Sequence, residues 1–96
     1  MQRSNEQTLK EVVRELLNAY RWGGKILEIR LMNSWENVVG KMISKHTIKL
    51  NIRKKTLFVK LDSSALKNEL SFSKERIIKS LNDEVGEVVI DKIVFT

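Results

Sequence analysis

His46-Thr47-Ile48-Lys49-Leu50-Asn51-Ile52-Arg53-Lys54-Lys55-Thr56-Leu57-Phe58-Val59-Lys60-Leu61-Asp62 is the stretch whose reading decides the fold. Ile48, Leu50 and Ile52 alternate with Thr47, Lys49, Asn51 and Arg53, and Leu57, Val59 and Leu61 alternate with Thr56, Phe58, Lys60 and Asp62. A period of two sends successive side chains to opposite faces of a pleated strand, so the pattern predicts two half-buried strands. A short turn around Arg53-Lys54-Lys55-Thr56 joins them. It lacks the Asn-Gly or Asp-Gly of an ideal two-residue hairpin, which leaves the turn type open.

Upstream of the hairpin the period is near 3.6. Leu9, Val12, Val13, Leu16, Leu17 and Tyr20 mark one face of a helix, with Ser4 or Asn5 as its cap and Gly23-Gly24 as its left-handed stop. Leu27, Leu31, Trp35, Val38, Val39, Met42 and Ile43 give a second helical stretch. The pair Asn33 and Glu36 resembles a capping box that breaks this stretch, and Gly40 marks a helix end or a close backbone approach. Downstream, Ser63-Ser64 offer a cap to a third helix striped by Leu66, Leu70, Ile77, Ile78, Leu81 and Val85, with Glu75 and Lys79 as an i,i+4 pair and Gly86 as its stop. Val88 to Phe95 is β-branched and aromatic enough for a last strand, with a bulge or an unsettled register at Val88-Val89-Ile90.

The order helix, helix, strand, strand, helix, strand predicts one α+β domain over residues 1–96: a three-stranded mixed sheet with helices on one face. Lys49, Asn51, Arg53, Phe58 and Lys60 then fall on the open face.

Charge singles out the same stretch. The chain has 96 residues, 18 Lys or Arg against 12 Asp or Glu, and a net charge of +6. Residues 41–60 hold Lys41, Lys45, Lys49, Arg53, Lys54, Lys55 and Lys60 and no acidic residue, while the flanking segments are close to neutral. Such a cluster attracts polyanions, because neutralised phosphates release condensed counterions. An acidic protein partner and simple solubility are the competing readings. Phe58 fits the aromatic-on-a-basic-sheet pattern of single-strand binders, or a ring covered by the first helix or by a second copy.

Other chemistries find no support. The absence of cysteine excludes disulfides, thiolate zinc sites and cysteine nucleophiles, and the one histidine, His46, suits a hydrogen-bonding or capping role. The glycines build neither a P-loop nor a dinucleotide fingerprint, and the G-x-x-G loop of a true KH domain is missing. No apolar run is long enough for a membrane span, and the polar N-terminus lacks a signal-peptide core, so the expected compartment is the cytoplasm. No cofactor is expected. Trp35 lies on the apolar stripe and reads as core, whereas Trp22, beside Tyr20 and Arg21 at a helix end, is a candidate partner contact.

From Trp35 onward the chain resembles the DciA family of bacterial replicative-helicase loaders. The carrying residues are Trp35-Glu36-Asn37-Val38-Val39-Gly40, His46-Thr47, Leu57-x-Val59-x-Leu61-x-Ser63-Ser64, Glu69-Leu70, Leu81-Asn82 with Gly86, and Ile93-x-Phe95. Many members have proline where this chain has Lys49 and tryptophan where it has Leu66. The resemblance implies a KH-like domain that binds DNA weakly and contacts a hexameric helicase of the DnaB type. The expectation is therefore a non-enzymatic nucleic-acid-binding adaptor, taking DNA rather than RNA. A protein–protein module with an acidic partner, or an RNA-binding protein, is the alternative.

Overall fold

The computed structural model describes residues 2–18 and 24–96, with side-chain surroundings for 8–16 and 24–96. Helix α1 spans Gln2–Asn18, α2 Gly24–Asn33, α3 Trp35–Val39 and α4 Lys41–Lys45. Strands β1 (Thr47–Arg53) and β2 (Thr56–Leu61) follow, then α5 (Ser64–Leu70), a 3-10 turn at Ser71–Ser73, α6 (Lys74–Val85) and β3 (Lys92–Phe95). The sheet order is β1-β2-β3, with β1 antiparallel and β3 parallel to β2. This is the α+β layout with a three-stranded mixed sheet that the order of helical and alternating segments predicts.

Registers Leu50↔Val59, Ile52↔Leu57, Leu57↔Ile93 and Val59↔Phe95 put the apolar residues of all three strands on one face. There they meet Leu31, Trp35, Leu66, Leu70, Ile77, Leu81 and Val85 from the helices in one core. Leu57, Val59 and Leu81 are fully buried, and each such aliphatic side chain contributes roughly 1.5–3 kcal/mol relative to exposure. Trp35 is 3% exposed. Its indole N–H donates to the Thr47 hydroxyl (3.0 Å), which donates in turn to the Ile43 carbonyl (2.8 Å). One chain of hydrogen bonds thus ties α3 and α4 to the start of β1, and the indole nitrogen is satisfied inside the core.

Several local expectations are corrected. Helix α1 begins at Gln2, so Ser4 and Asn5 lie inside its first turns instead of capping it. Gly24 is the first residue of α2 and has no left-handed φ, while Gly23 lies outside the described residues. The second helical stretch breaks twice. At Ser34 the hydroxyl donates back to the Arg30 carbonyl (3.0 Å) and no side-chain cap of α3 forms. At Gly40 the φ of 92° is one that only glycine adopts without strain, and a Cβ there would meet nothing within 4 Å, so this is a helix end and not a close approach.

The third helix is interrupted by the 3-10 turn. Ser63 does cap α5, its Oγ accepting the Leu66 N–H (3.3 Å), and Gly86 ends α6 in the left-handed region, its N–H donating to the Asn82 carbonyl (2.8 Å). Lys79 pairs with Asp83 (2.9 Å) and not with Glu75. The last strand is half its predicted length, because residues 88–90 form a loop and only Lys92–Phe95 pair. Ile48, expected in the core, is 58% exposed: the register shifts between Thr47 and Lys49, so Ile48 is the extra residue of a bulge.

Candidate nucleic-acid interface

The face of the sheet opposite the core is ordered by the same registers. Arg53↔Thr56↔Lys92 makes one row across the strands and Asn51↔Phe58↔Val94 the next. Lys49↔Lys60 makes the third, with Thr96 beside Lys60 through backbone bonds to Val59 (2.9 Å) and Leu61 (3.0 Å). Four cations therefore stand in the outer rows, and a half-buried phenylalanine, a half-buried valine and an exposed amide fill the middle one. No carboxylate occupies any of these positions. Asp62, beyond the end of β2, is engaged at 2.8 Å by Nδ1 of His46. Among the described residues, Lys49, Arg53, Lys60 and Lys92 take part in no ion pair. The Arg53 guanidinium carbon lies 5.5 Å from the Phe58 ring centroid, a cation–π contact worth about 0.5–1 kcal/mol at an exposed site.

Lys54 and Lys55 form the hairpin turn, with φ of 49° and 62°. Two central residues with positive φ are what a type I′ turn needs, since its twist matches that of the flanking strands. Normally Asn-Gly supplies them. Here two lysines do so at the rim of the basic face. The Lys55 carbonyl accepts the Asp91 N–H (2.9 Å), which ties the turn to the chain entering β3.

Of the residues picked from sequence, the structure thus gathers Lys49, Arg53, Phe58 and Lys60 on one face, with Lys54 and Lys55 at its edge. Lys41 and Lys45 are exposed on α4, outside the sheet. Trp22 and Tyr20 lie outside the described residues. The Phe58 ring carries Arg53, a neighbour from its own hairpin, above it, and Leu9 and Leu16 of the first helix are 65% and 57% exposed. Lys92 was missed. It lies beyond the acid-free segment, and only the parallel register of β3 brings it to the face. His46 has the hydrogen-bonding role expected of it: it ends α4, its N–H donates to the Ile43 carbonyl, and its own carbonyl accepts the Asp62 N–H (3.0 Å). Among the described residues no group of three or more His, Cys, Asp or Glu is placed to hold a metal ion, and no helix is long and apolar enough to cross a membrane.

Comparison with known proteins gives this geometry a family. The model described as "Dna[CI] antecedent, DciA" matches residues 8–95. A UPF0232 protein of Corynebacterium glutamicum (strain R) is 28% identical over 87 residues, which are 91% of this chain and 49% of the relative. The chain spans about half the length of that curated relative. Since the family match runs from α1 through the hairpin and both later helices to the last residue of β3, the chain belongs to the DciA family.

Proposed function

We infer that this chain is a non-enzymatic nucleic-acid-binding adaptor of DNA replication. It acts in the cytoplasm as one domain over residues 1–96, holds DNA in preference to RNA, and assists a replicative helicase of the DnaB type. Family membership supports the helicase role. The observation that supports nucleic-acid binding is the open sheet face, where four cations stand with no carboxylate in their rows and no ion pair among the described residues. Lys49, Arg53, Lys54, Lys55, Lys60 and Lys92 supply phosphate contacts, and Lys41 and Lys45 extend the positive potential along α4. Such contacts position a strand without reading its sequence. Low sequence specificity is therefore expected of a face that holds its ligand through phosphate.

The test is fluorescence anisotropy of labelled DNA across a salt series. Four or five phosphate contacts give a slope of log K against log salt of about −3 for single strands. The triple substitution Arg53→Glu, Lys54→Glu, Lys55→Glu abolishes binding while the circular dichroism spectrum stays native. Binding that survives the reversal refutes this assignment of the face.

A second reading has one observation in its favour. Leu9, Val12, Val13 and Leu16 of α1 are all exposed, and an amphipathic helix with an uncovered stripe suits a protein–protein module. Co-purification with helicase that survives nuclease, together with no affinity for oligonucleotides, favours that reading.

A further inference from the structure

Resting on the nucleic-acid reading above, we propose that the open face takes single-stranded DNA by stacking one unpaired base on Phe58, with Arg53 closing over the base from outside. The middle row carries the argument. A surface that only gathered phosphates would need cations, yet at its centre Phe58 and Val94 lie side by side, flanked by the Asn51 amide. Rows two residues apart along a strand are about 7 Å apart. The ring is thus bracketed by Arg53 and Lys92 on one side and by Lys49 and Lys60 on the other. A base lying on the ring has cations within reach of its 5′ and 3′ phosphates at once. Duplex DNA cannot use this centre, because its base faces are already stacked on one another.

Arg53 fits the role of a moving cover. Its guanidinium carbon is 5.5 Å from the ring centroid, too close for a base between them, since two stacked contacts at 3.5–4.0 Å require about 7–8 Å. A lift of roughly 2 Å by this exposed side chain opens the gap, and the planar guanidinium then stacks on the base's other face. In the free protein the same contact shields the ring. Asn51 carries both a donor and an acceptor, so it can bond the edge of any base, which keeps the site tolerant of sequence.

The experiment measures the affinity of the full chain for fluorescein-labelled dT12, for a labelled 12-base-pair duplex, and for a dT12 in which the central nucleotides are abasic. The wild-type chain is expected to favour dT12 over the abasic strand by about 5- to 150-fold, the scale of one lost base–aromatic stack. Phe58→Leu removes that preference, Phe58→Tyr retains it, and the salt slope is the same for all three proteins because no phosphate contact changes. The abasic comparison needs no variant, so a fold defect in Phe58→Leu does not blunt it. A labelled rU12 arm tests the sugar: tighter binding of rU12 than of dT12 overturns the assignment to DNA. Equal wild-type affinity for intact and abasic strands overturns base stacking while leaving phosphate binding in place. Absence of binding to every probe at low salt overturns both readings together.

Discussion

Asn82 holds the chain entering the last strand by three hydrogen bonds. Its amide nitrogen donates to the Ile90 carbonyl (2.8 Å), and its oxygen accepts the N–H groups of Val89 (2.9 Å) and Ile90 (3.1 Å). Ile90 is fully buried, so its backbone groups have no water to turn to when the amide is removed. Asn82→Ala is expected to cost about 2–3 kcal/mol, read from urea unfolding, because unpaired backbone groups in a part-buried loop pay their full desolvation. Asn82→Asp keeps the acceptor and loses the donor, and falls between the two. An alanine variant within half a kcal/mol of wild type would refute the role. Such a residue is invisible to periodicity, since a side chain bonding seven and eight positions ahead leaves no pattern in the sequence. Phe58 is the opposite case: an aromatic out of phase with Leu57, Val59 and Leu61 announces its face by alternation alone.

At the scale of the element, the hairpin turn puts stability and binding in opposition. Lys54 and Lys55 adopt left-handed backbone conformations that disfavour residues bearing a Cβ by about 1–2 kcal/mol each. Replacing them with Asn-Gly is expected to raise stability by at least about 1 kcal/mol, or roughly 4–8 °C in melting temperature. If the turn lysines contact phosphate as proposed, the same change removes two contacts and flattens the single-strand salt slope by about 1.4. Calorimetry and anisotropy on one double variant read both effects, and a lower melting temperature would refute the turn assignment. On α6, Asp83 raises the pKa of the Lys79 ammonium through a hydrogen bond and its charge. That contribution is present below the lysine's ordinary pKa and is lost only as pH climbs through the raised one. The strands of the hairpin were legible because alternation is local. The break beside Asn33 and the helix end at Gly40 were legible as well, through the Asn33 and Glu36 pair and the glycine, whereas the split at Ser71 was not, because Leu70 and Ile77 stand seven residues apart and keep one helical face across it. Lys92 was hidden for a related reason: parallel register is set by the α5–α6 crossover and is written in no short segment.

Over the whole molecule, the core among the described residues lies between the sheet and the helices from α2 onward, and Leu9, Val12, Val13 and Leu16 of α1 are exposed outside it. Replacing Leu9, Val12, Val13 and Leu16 with serine is therefore expected to leave the melting temperature within a few degrees of the wild-type chain, whereas burial of these four side chains in solution would show as a larger loss. Amphipathic spacing told that α1 is a helix, but spacing says nothing of what a stripe packs against. The bulge at Ile48 has a consequence at this scale as well. Strand β1 is a sheet edge, and an uncovered edge is a template on which further strands can add without limit. A bulged residue interrupts the flat run of peptide groups, and Lys49 and Arg53 repel any second copy laid alongside. The charges of this face thus also oppose polymerisation of the protein through its own backbone, and a variant that carries apolar residues in their place is expected to aggregate at concentrations where the wild-type chain does not, as read by light scattering.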